Sequence, residues 1–140
     1  MKYHTLTPTQ TYLVSIAPNE DIVASLSAFS KEQGIASGYA IGIGAIKSCR
    51  IAHYSVAGKK YTERKLRKPL EILNITGIIT KDKVHVHGVF GSQLSRAYGG
   101  HIAKAIVSAA CEMIVVATRE EIGRKYNEEI GLELVDFDTE

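Results

Sequence analysis

Leu70-Glu71-Ile72-Leu73-Asn74-Ile75-Thr76-Gly77-Ile78-Ile79-Thr80, then Lys81-Asp82-Lys83, then Val84-His85-Val86-His87-Gly88-Val89-Phe90 reads as two strands around a polar turn. Apolar, β-branched runs of this length on either side of three polar residues predict an antiparallel hairpin. The first run is too dense in Ile and Leu for clean alternation, which predicts a strand buried on much of both faces. Glu71 is the anomaly within it. It sits in water at a strand end, or, if buried, it needs a cation, a hydrogen-bond donor or a raised pKa.

The second run puts His85 and His87 on one strand face, about 6.6 Å apart along the strand, close enough for both rings to lean toward one ion. A third histidine, His101, follows Gly99-Gly100. Glycines at 91, 99 and 100 let the chain turn back and bring it beside the pair. Three neutral imidazoles suit zinc and similar divalent ions, and an open fourth position suits the activation of water. Glu71 and Glu112, both acids in apolar surroundings, are the candidates for orienting a ligand or transferring a proton. The competing reading is that His85 and His87 are half-buried strand residues making ordinary hydrogen bonds.

Working outward, Thr11 to Ile16 reads as a first strand. Pro18 ends it, and Asn19 is placed to cap a helix that carries Ile22, Val23, Leu26 and Phe29 on one face as far as Gly34. That helix is expected to cover a sheet. Ile35 to Ile46 and Ser48 to Val56 read as two further strands, the first with glycines that permit a bulge or a close backbone approach. Gly42-Ile43-Gly44 lacks the third glycine and the following helix of a dinucleotide fingerprint, because Lys47 stands where that glycine belongs. Gly99 to Thr118 reads as one long bent strand or two short ones, although Ala103 to Ala110 favours helix. Arg119 to Ile130 is polar and predicts a C-terminal helix, with Gly131 stopping it and Leu132 to Val135 returning as an edge strand. The expected fold is α/β of the α+β type, a mostly antiparallel sheet or sandwich with two helices, in one domain over residues 1–140.

The chain has 140 residues, 45% hydrophobic and 23% charged, which excludes a disordered or fibrous protein. Cys49 and Cys111 are its only cysteines, so no disulfide scaffold is expected and both are read as buried free thiols. With no signal-like N-terminus and no apolar run of membrane-spanning length, a cytoplasmic location is expected. The net charge of +2 hides an uneven spread. Six of the ten residues from 59 to 68 are basic (Lys59, Lys60, Arg64, Lys65, Arg67 and Lys68), and these are the candidates for DNA-phosphate contact. Little aromatic interleaving beyond Tyr61 accompanies them, and a solvated hairpin tip is the plainer reading.

Gly44-Ala45, Glu71-Ile72-Leu73 leading to Gly77, His85-x-His87, Gly99-Gly100-His101 and Glu112 occur in an order that resembles the plant and prokaryote conserved (PPC) domain. Arg124-Lys125 through Leu132 resembles that family's C-terminal helix and last strand. The resemblance implies an α/β sandwich, a homotrimer, and His85, His87 and His101 as metal ligands near a subunit interface. Plant members carry an Arg-Gly-Arg-Pro segment for the DNA minor groove; none occurs in these 140 residues. They also have Gly-Arg-Phe before the glutamate, where this chain has Arg67-Lys68-Pro69-Leu70. Three functions follow as expectations. One is a trimer binding a divalent metal, most simply zinc, and a small molecule at the histidines, with hydrolysis or hydration as the chemistry if it is an enzyme. The others are a DNA-binding or DNA-associated regulatory protein using the basic segment and a structural or regulatory trimer with a vestigial site.

Overall fold

The computed structural model describes residues 1–138. Chain order is β1 (Pro8–Ile16), α1 (Ile22–Glu32), β2 (Ser37–Ser55), β3 (Lys60–Leu66), β4 (Leu70–Thr80), β5 (Val84–Gly91), β6 (Ala97–Thr118), β7 (Arg124–Asn127) and β8 (Leu132–Val135). Every strand pairing is antiparallel. The expected hairpin is β4–β5, with Ile79 opposite Val84 and Thr76 opposite His87.

Two long strands organise the rest. β2 and β6 pair from Gly38 opposite Ala117 to Ala52 opposite His101. On its other edge β2 takes β4 and then β3. On its other edge β6 takes β5 at residues 97–101 and β1 near its C-terminal end. The path β6–β2–β4–β5–β6 therefore closes on itself, and a ring of four strands surrounds Phe90, Ile46, Ile75, Ile79 and Ile102, all fully buried. The two strands expected over residues 35–46 and 48–56 are one strand, β2, and its glycines provide the expected close backbone approach and bulge. A Cβ on Gly38, Gly42 or Gly44 would lie 2.2–2.5 Å from a carbonyl oxygen of β6.

Between β1 and β5, β6 is bordered by the segment leading into α1. Asn19 N donates to the Val107 carbonyl, and Val107 N donates to the Glu20 carbonyl, each at 3.0 Å. The N-cap is Asp21, two residues beyond the Asn19 expected from sequence. Asn19 lies at φ +75°, off the extended conformation usual for a cap. One oxygen of Asp21 accepts from Val23 N at 3.2 Å and from Ala105 N at 3.3 Å, so it caps the helix and serves β6 together. Ile22 and Leu26 then enter the core.

The expected C-terminal helix is absent. Arg119 to Ile130 instead holds β7 and a turn into β8, and the polar helix formers there are overruled by tertiary ties. Lys81 N donates to the Ile122 carbonyl at 3.0 Å, Arg124 N to Asp82 Oδ2 at 2.6 Å, and Asp136 N to the Gly123 carbonyl at 2.9 Å. Tyr54 Oη holds the far end by donating to the Ile130 carbonyl at 2.8 Å. Ala97 to Thr118 is one strand, and the basic run forms the exposed edge strand β3 with no loop between Lys60 and Leu66. Cys49 and Cys111 are buried and free, and burial pushes both thiols up to about 11. Among the described residues, no helix is long and apolar enough to cross a membrane.

Candidate metal centre

One cross-strand row runs around the outside of the ring: Leu13, Ile114, Ile41, Thr76, His87 and His101 lie opposite one another in turn. His85, two residues from His87, shares its face. A ring nitrogen from each of His85, His87 and His101 lies within 4.8 Å of the others, and the ring centroids are 4.9–5.5 Å apart. His101 reaches this place because Gly100, at φ +152°, lets β6 pass against β2. A Cβ there would lie 2.8 Å from the Ala52 carbonyl oxygen.

These side chains fit an ion. Two nitrogens bound to one tetrahedral zinc at about 2.0–2.1 Å lie roughly 3.3 Å apart. His85 Nε2 and His87 Nε2 are 3.1 Å apart. His101 Nδ1 is shut off from solvent with no hydrogen-bond partner. Desolvation lowers His101, helped by the charges of His87 and Lys83 and opposed by Glu63. Desolvation also pushes His85 down to about 4, with His101, His87, Arg124 and Lys83 acting in the same direction. Neutral imidazole is the form a metal requires, and the lowered pKa values of His85 and His101 favour that form.

The same shift predicts how the metal-free protein responds to acid. An unfolded histidine takes up its proton near 6.5, whereas native His85 stays neutral to about pH 4, so stability is lost as pH falls through that window. His85 is only half-buried, and after discounting for solvent screening the loss is on the order of 1 kcal/mol. Urea unfolding at pH 7 and pH 4.5 should show this loss in the wild type and a smaller one in His85→Ala. Equal losses would remove His85 as its source.

Neither expected acid meets the triad within one copy of the chain. Glu71 is exposed and sits opposite Gly91, four residues along β5 from His87, about 13 Å away. Glu112 is exposed and opposite Ile43, eleven residues along β6 from His101. The groups that do adjoin the triad are ones the sequence reading left aside. His85 and His101 open into a cavity of about 600 Å³ walled by Val23, Ile78, Val84, Leu132 and Leu134, with Tyr61, Lys83, Arg124 and Glu133 among its polar lining. Its far wall is the β7–β8 hairpin. The signal for it was present in the alternation of Leu132-Glu133-Leu134-Val135, but Arg119–Ile130 was read as helix.

The basic segment is divided by its strand. Arg64 lies opposite Ile51 and Lys65 opposite Arg50, on opposite faces of β3. Lys59 Nζ donates to the Glu128 carbonyl and Lys68 Nζ to Tyr98 Oη, each at 2.7 Å, and Arg64 sits over the Tyr98 ring. Lys65 and Arg67 instead join Lys47, Arg50 and Lys104 along a groove of about 460 Å³. Those last three were not singled out from sequence because they come from separate strands.

The fold and this site define a class: an antiparallel β ring with, among the described residues, one helix and three convergent histidines on its outer wall. Residues 3–119 match the model of the Plants and Prokaryotes Conserved (PCC) domain, and the chain belongs to that family. It is similar to a candidate DNA-binding protein of Bacteroides thetaiotaomicron, with 34% identity over 97% of this chain and 100% of that one, at TM-score 0.87. It is also similar to a metal-containing protein of Archaeoglobus fulgidus, with 32% identity over 96% and 98% of the two chains, at TM-score 0.88. Among curated proteins it matches Bifunctional protein GlmU of Synechococcus sp. (strain JA-3-3Ab) at 26% identity over 106 residues. That match takes in 76% of this chain and only 17% of the length of that protein.

Proposed function

We propose that this chain is a homotrimeric metal-binding protein whose divalent ion is held by His85, His87 and His101 and whose adjoining cavity takes a small molecule. The observation that carries the reading is the convergence of three imidazole nitrogens from β5 and β6. Its donor set, neutral nitrogen with no thiolate, favours zinc. The metal-containing Archaeoglobus relative supports it. Such an ion, when bound, supplies Lewis-acid chemistry of the kind used in hydrolysis and hydration. Glu71 and Glu112, exposed on the ring, are proposed as proton-transfer groups that meet a triad from a neighbouring copy.

A second copy is the occupant proposed for the outer wall. Leu13 is 78% exposed and Ile43 61%, and Tyr39, Ile41, Ile78, Val89 and Ile114 continue the apolar surface up to the histidines. Patches of this kind mark interfaces, and closed symmetric assemblies are the usual way of covering them. Two unpaired thiols suit a reducing compartment, hence the cytoplasm.

Metal analysis of untagged protein tests the reading, with one equivalent expected in the wild type and almost none in His87→Ala. Absence from both would end it. A second reading draws on the basic groove and the Bacteroides relative: phosphate contact with DNA through Lys47, Arg50, Lys65, Arg67 and Lys104. Duplex affinity should then fall steeply with added salt, and a flat response would dismiss this reading.

A further inference from the structure

The cavity beside the triad is closed on its far side by the β7–β8 hairpin, and that hairpin brings in an arginine with no acidic partner. Arg124 donates from Nη1 to the Glu133 carbonyl at 3.1 Å, while its Nε is shielded from solvent and unpaired. Two acids, Glu133 and Asp82, lie near enough for their charges to act on the guanidinium, but neither forms an ion pair with it. Glu133 Oε2 is 2.8 Å from Lys83 Nζ, and Asp82 Oδ2 accepts from the Arg124 backbone. Among the described residues, no carboxylate lies within ion-pair distance of the guanidinium. The donors within a ligand's reach are on the two Nη nitrogens, and Nη2 has no hydrogen-bond partner among the described residues. A half-buried guanidinium facing apolar walls with these donors to spare is matched by a planar anion that accepts two parallel hydrogen bonds.

We propose that Arg124 anchors the carboxylate of a small organic acid in this cavity. Its short apolar body would lie along Val84, Ile78 and Leu134, and an oxygen on the carbon next to the carboxylate would be directed to the His85–His101 end. The volume, about 600 Å³, is within the range of small-molecule sites. This assignment rests on the metal reading of the triad only for that second oxygen; the carboxylate–arginine pair stands on the hairpin alone.

Titration calorimetry with 2-hydroxy-3-methylbutanoate and with its amide tests the proposal, on zinc-loaded and on metal-free full-length protein. The acid is expected to bind both forms, more tightly with zinc, and the amide at least tenfold more weakly than the acid. Arg124→Gln should lose at least tenfold in affinity for the acid, and Arg124→Lys should recover part of it. Thermal midpoints of both variants, and zinc binding by them, check that the hairpin and triad persist. Equal affinity for acid and amide would overturn the proposal, as would unchanged binding by folded Arg124→Gln. Zinc binding with no acid binding overturns it while leaving the metal reading intact. Acid binding lost with Arg124 in a protein that takes no zinc supports the anchor and refutes the metal.

Discussion

Zinc at a thousand times its dissociation constant is expected to stabilise the wild-type chain by about 4 kcal/mol, because a ligand bound only by the folded state adds RT ln(1 + [L]/Kd). His101→Ala is expected to abolish that increment. The three donors come from two strands whose sequence positions are 14 residues apart, and only the paired strands hold them together. His85 and His87 alone are a local pair on β5, which an unfolded chain also presents, so they distinguish folded from unfolded weakly. His101 supplies the difference. Equilibrium unfolding in urea, with zinc and with chelator, measures both quantities. A zinc increment preserved in His101→Ala would place the ion somewhere other than the triad.

Gly44→Ala is expected to cost about 4 kcal/mol, combining a strained backbone conformation with overpacking. Gly44 lies at φ +152°, and a Cβ there would sit 2.2 Å from the Ala110 carbonyl oxygen and 2.7 Å from the Cys111 Cα. Both obstacles are backbone, so no side chain can swing away. The strands must separate at the bulge by which β2 changes register against β6. Gly34→Ala is the matched control: φ is +64°, but no atom stands within 4 Å of the new methyl group, and the cost should stay near 1 kcal/mol. The midpoint of urea unfolding should drop far more for Gly44→Ala than for Gly34→Ala at similar slope. Equal costs would mean that conformation, and not the approach of β6, governs Gly44.

What could be read in advance follows the range of the interactions. The β4–β5 hairpin was legible because its signals, dense Ile and Leu and the turn at Lys81–Lys83, are local. His85 and His87 were legible as a pair because strand periodicity alone places them together. The glycines at 38, 42 and 44 were legible as places for a bulge or a close backbone approach. Their role against the carbonyls of β6 could not be read without knowing which strand lies opposite. Arg124 was hidden for the opposite reason: its neighbours favour helix, and hydrogen bonds to the Lys81–Asp82 turn, over 40 residues away, hold the chain extended. Asp21 displaced Asn19 as the cap because it also satisfies Ala105 N, a demand absent from the helix's own sequence.

The closure of the ring by β2 and β6 has a kinetic consequence. Gly38 and Ala117 are 79 residues apart, and topologies dominated by such distant pairings fold on millisecond-to-second scales because loop entropy is lost before contacts compensate it. The β4–β5 hairpin, a local element, belongs to the microsecond range. Two of the triad's imidazoles thus come together early, and the third arrives only when β6 docks. On the proposed metal reading, ion capture would be a clock for the last stage of folding, because a chain that has not closed its ring has not yet brought His101 to the other two imidazoles.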